Sequence, residues 1–462
     1  MPFHHLLERH DHDEAVDLGK SLRTTLKRSR LAEPSTVDRD VVALIRAQHV
    51  DRIPELVPLR LERMGSSPFA FFRATADIMT TDLASTPVTG VDVVISGDAH
   101  IGNFGFYASP ERRILFDLND FDESGVGPWE WDLKRLVVSA VVCARGAGAD
   151  HDEQRALAEQ VAAGYRTAIR HAAGESVLDR YYRSVDAEEL ADTVPGSVAD
   201  VIDKALTKAR KRTADQIVEK ITEVDNTGRR RITPDPPIVV PLTDTAGRDA
   251  SEQPVAEIFE RYLSSVRTDV ALLLSQFEVT DVARRVVGVG SVGNVALIVL
   301  LQGPSDEPMV LQLKEAAPSV LETNGGLTAV IPETEQFPAD ARDAVRVVAA
   351  AHVLQANSDP FLGWTANENG AFYWRQFRDM KGSIDADHLS PGELRRYSVL
   401  CAQLLARAHS QSPAFGQIAG YLGRKPNADK AIGRWSVDYA DVVDDDFRVF
   451  QSARADGAFD VE

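Results

Sequence analysis

The chain has 462 residues, about three domains' worth at roughly 150 residues each, with 44% hydrophobic and 26% charged residues. That balance excludes wholesale disorder, a collagen-like repeat and a coiled-coil rod, and leaves an enzyme-sized globular protein. The net charge of −19, from 51 Lys and Arg against 70 Asp and Glu, disfavours nucleic acid and anionic membrane as partners.

The first 60 residues are polar with short helical patterns, and compact structure is expected to begin near Arg63, where SSPFAFFRATADIM brings packing aromatics. Residues 91–96 (VDVVIS) and 114–116 read as short strands, each followed by a turn-rich acidic loop. From Asp132 the pattern becomes helical, through WDLKRLVVSAVVCA, 152–171 and 197–223. Residues 225–253 are rich in Pro, Gly, Thr and Asp and read as a long connection or flap, followed by a helix over 254–277. Residues 284–314 alternate and are β-branched, with a turn at QGPSDEP, which predicts a hairpin or meander. A helix over 340–356, a strand over 371–377 and a helix from the capping box at Ser390–Glu393 to His409 complete the pattern.

Cys143 and Cys401 lack the spacing of a disulfide framework or a zinc site, and the start MPFHHLLERHDHDEAVD lacks a basic region followed by a long apolar run. The longest apolar runs, such as 295–301, are too short to span a bilayer, so the expectation is a cytoplasmic protein. The histidines at 4, 5, 10 and 12 are assigned no function, and Lys204, Lys208, Lys211 and Arg212 read as a solvated helix face.

Gly288, Gly290 and Gly293 form a GxGxxGxV pattern with Ser291 between them. A strand follows, not a helix, which favours a phosphate-covering loop between antiparallel strands over a dinucleotide fingerprint. A ligand-free glycine turn gives the same pattern. On the next strand Lys314 shares a face with Val310 and Gln312, where an ammonium would reach phosphates. It is the one lysine among twelve arginines between Lys220 and Lys381, although a solvent-facing strand lysine is the ordinary alternative. Asp98 and Asn103, five apart on one loop, and Asp120 with Asp122 on a second, can supply a base and hard oxygen ligands for magnesium. Asp and Asn that merely make turns would look alike.

GDAHIGN, residues 97–103, resembles the HGDxHxxN loop of aminoglycoside and choline kinase-like phosphotransferases, and DFDESGVGPWEWDL resembles their following segment with the same twelve-residue step from Asp120 to Asp132. The resemblance implies Asp98 as catalytic base, Asn103 and Asp120 as catalytic metal ligands, and Asp132 as a structural aspartate bracing the loop. Ser96 departs from the family's leading histidine, which puts in doubt how that loop is braced. The glycine loop and lysine here follow the catalytic loop, and LLARAH, 404–409, similar to the helix that normally leads into it, lies near the C-terminus. A circular permutation would explain this order. The run from RMGSSPFAFFRA to RDMKGS is similar to the bacterial domain-of-unknown-function family numbered 2252, which implies a protein-kinase-like fold.

The expectation is therefore an α+β, two-lobe, circularly permuted kinase-like fold. Residues 1–60 would be an N-terminal helical extension and 61–224 the first part of the helical lobe, with the catalytic and metal loops. Residues 225–280 would be a linker and connecting helix, 281–383 the antiparallel nucleotide-binding lobe, and 384–462 the helical remainder. The helix around 344–355 offers Arg346, His352 and Gln355 but no glutamate, so Glu322 is taken as partner of Lys314. Gln376 lies at the strand end whose backbone would meet adenine, and Asp122 joins Asn103 and Asp120 as a metal ligand. The implied activity is phosphoryl transfer from ATP with Mg²⁺ to a hydroxyl acceptor, a small molecule before a protein. The alternatives are a pseudokinase, a protein kinase and a nucleotidyltransferase.

Overall fold

The computed structural model describes residues 10–193, 197–211, 214–226, 228–242, 248–286, 288, 290, 292–331, 337–368, 370–377 and 380–459. It is a mixed α+β protein whose sheets are antiparallel. Thirteen strands are described: β1 Asp92–Ile95, β2 Phe104–Ala108, β3 Ile114–Leu118, β4 Gly125–Pro128, β5 Thr222–Val224, β6 Arg230–Ile232, β7 Val239–Pro241, β8 Glu278–Arg285, β9 Ala296–Gln302, β10 Pro308–Glu315, β11 Gly363–Asn367, β12 Gly370–Gln376 and β13 Gly382–Ser383.

The largest sheet has the order β11-β12-β10-β9-β8-β7. Both of its faces are covered, which is why β9 reads ALIVLLQ without clean alternation. On one face Val299, Leu301, Leu311, Leu313 and Trp374 pack against the helix Arg248–Leu263, with the rings of Tyr262 and Trp374 stacked at 4.7 Å. On the other, Ile298, Leu300, Val310 and Phe377 meet Ile217 and Val218 of the helix Ala214–Ile221. Lys314, two residues on from Gln312, shares this second face and stands in register with Tyr373 of β12.

The helical part is centred on Trp129–Gly146, buried along nearly its whole length between the helices His151–Ala172, Pro391–His409 and Asn427–Ala455. Pro391–His409 starts at the expected capping box, in which Ser390 and Glu393 satisfy each other's backbone donors. Against this body lie the pair β1-β4 and the small sheet β13-β2-β3, which carry the two acidic loops.

Several expectations are corrected. Compact structure starts well before Arg63. The helix His12–Thr25 crosses Phe415–Leu422 so closely that a Cβ at Gly19 would stand 2.0 Å from the Gln417 carbonyl oxygen. Arg39 bridges Asp82 and Asp446 at 2.7 Å each, and Leu31 and Ile45 are fully buried, so residues 10–60 belong to the main core. Residues 225–253 hold β6 and β7, the latter an edge of the large sheet, in place of a bare flap. The helix expected over 254–277 divides into Arg248–Leu263 and Thr268–Leu274. The helix expected over 197–223 divides into Ser197–Arg210 and Ala214–Ile221, and β5 begins at Thr222. Of the solvated face, Lys204, Lys208 and Lys211 are exposed. Arg212, like His4 and His5, lies outside the described residues.

Candidate functional site

The first loop leaves β1 through Ser96 and Gly97. Gly97 has φ +75°, and a Cβ there would stand 2.0 Å from the Glu123 carbonyl oxygen, so the two acidic loops touch where only glycine fits. Asp132, in the first turn of Trp129–Gly146, holds the bend: its carboxylate accepts the Ser96 N–H at 2.7 Å and the Gly97 N–H at 2.9 Å. His409 Nε2 lies 3.1 Å from the same carboxylate, and its Nδ1 is 2.7 Å from the Tyr165 hydroxyl. The bend is thus braced through Asp132 by a histidine at the end of a helix remote in sequence, and the Ser96 hydroxyl ties it to the second loop. The LLARAH motif carried the signal.

Asp98 follows directly. Its Oδ1 accepts from Arg135 Nε at 2.8 Å, while Oδ2 is 3.7 Å from His100 Nε2. Burial alone would raise this carboxyl, but Arg135, His100 and Arg73 together hold it below the usual range. Burial drives the His100 imidazole down to about 3, so the ring is neutral at physiological pH. Asn103 Nδ2 donates to the Asp98 carbonyl at 2.8 Å, which leaves its amide oxygen as the atom it can offer the cleft.

On the second loop, the Asp120 carbonyl accepts from Ser96 Oγ at 3.4 Å, but its carboxylate makes no hydrogen bond or ion pair with any described residue, and Oδ1 is buried unmatched. Burial, then the neighbouring Asp122, pushes its carboxyl upward. Asp122 is fully engaged: Oδ2 accepts from Lys314 Nζ at 2.6 Å and Oδ1 from the Tyr373 hydroxyl at 2.6 Å. Burial would raise Asp122 too, but Lys314 and Tyr373 hold it low, and Asp122, then Tyr373, keep the Lys314 ammonium strongly protonated against its burial.

Asp98, Asn103, Asp120, Asp122, Gly288 and Gly290 line one cleft of about 170 Å³. The glycine loop is held over it from the N-terminal side: Arg63 Nη1 donates to the Gly288 carbonyl at 2.6 Å, the Ile53 N–H donates to the Gly293 carbonyl at 2.9 Å, and Arg52 Nη1 donates to the Val292 carbonyl. Ser291 lies outside the described residues. Arg52, Arg73 and Gln48 also line this cleft. Sequence reasoning missed all three, and missed Arg135, because an arginine beside an aromatic or in a buried helix carries no local pattern.

One expectation fails here. Glu322 is not the partner of Lys314. Its carboxylate accepts from Arg342 Nη2 at 2.7 Å, and Asp122 occupies the lysine. Gln376 lies outside this cleft. It lines a neighbouring cavity of about 370 Å³ with Tyr107, Phe121 and Arg375, and its N–H is taken by Asp359 Oδ2 at 2.6 Å. Arg378 and Asp379, beyond that strand, lie outside the described residues. Asn119 and Phe121 face the larger cavity while Asp120 and Asp122 face the cleft, as alternation requires, and the turn at 122–123 brings Glu123 to the cleft as well.

Among the described residues no three His, Cys, Asp or Glu side chains gather around one point as metal ligands. A cation here would rest on the unpartnered Asp120 and the Asn103 amide oxygen, the sparse protein ligation that Mg²⁺ accepts when a phosphate supplies the remaining oxygens. A buried carboxylate without a partner fits such a cation.

The fold and cleft define an α+β protein in which loops from both parts of the chain enclose a charged site. The family model described as an uncharacterised protein conserved in bacteria, DUF2252, matches residues 52–453, and the chain belongs to that family. Searches of curated proteins and of solved structures found no match. No described helix is long and apolar enough to cross a membrane.

Proposed function

We propose that the chain is an ATP- and Mg²⁺-dependent phosphotransferase that moves the γ-phosphoryl group to a hydroxyl acceptor, a small molecule before a protein. The observation that carries this is convergence. Two acidic loops near positions 100 and 120 and a glycine loop near 290 line one cleft, and Lys314 stands behind its wall, bonded to the lining Asp122 across 192 residues of chain.

The sheet supports a kinase-like small lobe. Three consecutive antiparallel strands, β8, β9 and β10, carry the glycine loop and then the lysine, and β12 and β11 follow after the helix Arg342–Leu354. The contact of His409 with Asp132 supports the permuted order, because the helix expected to lead into the catalytic loop reaches the aspartate that braces it but follows that loop by about 300 residues in sequence.

In this reading the glycine loop covers the phosphates and Lys314, kept in place by Asp122, donates its remaining N–H bonds to them. Asn103 and Asp120 would hold Mg²⁺, which neutralises charge building on the phosphate oxygens. Asp98 offers Oδ2 to the acceptor hydroxyl, since Arg135 occupies Oδ1. The acceptor oxygen bonds to the γ-phosphorus, the bond to the departing ADP oxygen breaks, and the hydroxyl proton passes to Asp98. Its lowered proton affinity suits a late proton transfer, so positioning is the larger part of its contribution.

The test is thermal stabilisation by ATP and Mg²⁺, together and apart, followed by product masses from acceptor screens. A gain of one phosphate on the acceptor is expected, and a gain of a nucleotidyl group would replace the reading by nucleotidyl transfer. Asp98→Asn should keep nucleotide binding within about twofold and lose most turnover. Equal turnover in both proteins overturns the role.

A further inference from the structure

Two side chains on the cleft wall are unmatched, and they carry opposite charge. Asp120 is one. Arg73 is the other: it makes no hydrogen bond or ion pair with any described residue, and its Nε is buried without a partner. Its guanidinium lies 5.8 Å from the Phe69 ring centroid, and a Cβ added at Gly102 would stand 3.4 Å from Nε, which places it against the catalytic loop. Arg52 lines the same cleft, tied to Gln48 and Val292 through Nε and Nη1. Burial lowers its guanidinium only to about 10, so it stays charged at neutral pH.

The other carboxylates of the wall are already satisfied. Asp98 has Arg135, Asp122 has Lys314, Asp77 accepts from Gln48, Glu123 accepts the Val320 N–H at 2.7 Å and Glu315 the Val295 N–H at 3.2 Å. An anion entering beside Asp98 therefore meets two guanidinium groups, and the one unmatched carboxylate is the residue assigned to the metal. A buried donor without an acceptor costs stability unless a ligand supplies one.

We infer that the acceptor carries an oxyanion, a phosphate or a carboxylate, beside the hydroxyl that Asp98 orients, and that Arg73 with Arg52 seats it. This rests on the phosphotransferase reading and narrows it to anionic acceptors. The oxyanion is a spectator: it keeps its bonds while the hydroxyl oxygen takes the phosphoryl group, the proton goes to Asp98 and ADP leaves.

The experiment uses the full chain with inorganic phosphate as probe, in calorimetry and thermal shift, after saturation with Mg²⁺ and a non-hydrolysable ATP analogue that fills the γ-phosphate position. Phosphate is expected to bind on top of the analogue. Arg73→Gln should weaken phosphate by about tenfold or more while retaining the analogue's affinity, and Arg73→Lys should recover part of the loss. Native-like unfolding of Arg73→Gln without ligand excludes misfolding as the cause, and if it is misfolded, Arg73→Lys alone against the native chain gives the comparison.

Phosphate binding that the analogue abolishes would assign these arginines to the nucleotide and overturn the inference. So would equal phosphate affinity in Arg73→Gln, or no phosphate binding at all. Failure of the analogue itself to bind, with phosphate still dependent on Arg73, would remove the ATP reading and leave the anion seat standing.

Discussion

His409 Nε2 lies 3.1 Å from Asp132 Oδ2, across 277 residues of chain, and the same carboxylate receives the backbone of Ser96 and Gly97. One buried carboxylate thus joins the end of Pro391–His409 to the loop that presents Asp98. His409→Ala removes a neighbour of Asp132 and one of the Tyr165 hydroxyl at a fully buried position. The expected cost is about 2–4 kcal/mol, read as a lower urea midpoint with unchanged slope. ATP turnover should fall with it, and normal turnover in a destabilised variant would show that the loop keeps its shape without this brace.

Lys314 separates two designs. If Asp122 is its working partner, Glu322→Gln should leave MgATP affinity within about twofold, whereas Asp122→Asn should weaken it by about tenfold or more through loss of the charge that positions the ammonium. Fluorescence titration with a labelled nucleotide reads both. The opposite ranking would mean that nucleotide binding swings Lys314 away to Glu322.

What was legible in the sequence was what is specified locally. The hairpin of β9 and β10, the capping box at Ser390 and the strands flanking the acidic loops follow from alternation, turn residues and caps within ten residues of each other. What was not legible depends on distant partners. The Gly19 crossing needs Gln417, and the choice of Asp122 over Glu322 for Lys314 was settled by Arg342 claiming the glutamate. Arg135 hid in a helix that reads as plain core, and β11 is too short and mixed to announce itself.

Asp120 gives a pH prediction. Its carboxyl is raised, by burial first and then by Asp122. The folded state therefore holds this proton more tightly than the unfolded chain, so stability falls as pH rises from the usual carboxylate range to the raised folded value. Without Mg²⁺, Asp120→Asn should stabilise the protein at neutral pH by on the order of 1 kcal/mol, and the advantage should vanish as pH drops below the usual carboxylate range. Added Mg²⁺ and nucleotide should stabilise the native chain and leave the variant nearly unmoved. Differential scanning calorimetry across pH, with and without EDTA, measures both effects. A variant less stable at every pH would mean that Asp120 has a protein partner in solution.

The glycine loop is held by the N-terminal segment, and Gly293 is where the two meet. Its φ is +96°, a region that L side chains rarely adopt, and a Cβ there would stand 2.9 Å from Arg52 Cβ. Its carbonyl accepts the Ile53 N–H at 2.9 Å, while Arg63 grips the Gly288 carbonyl at 2.6 Å. Gly293→Ala forces a choice between backbone strain of about 1–3 kcal/mol and release of the loop from residues 52–53. Release is the cheaper course, because a loop on the cleft rim can move where a core cannot. The expected result is faster amide exchange over 286–295 and at Ile53, a small change in global stability and about tenfold weaker MgATP binding. Arg63→Ala should speed exchange in the same segment without the backbone strain, so the two variants together distinguish a loop that must be glycine for its own geometry from one that must be tethered. Unchanged exchange in both would mean that the contacts to residues 52–63 do not order the loop.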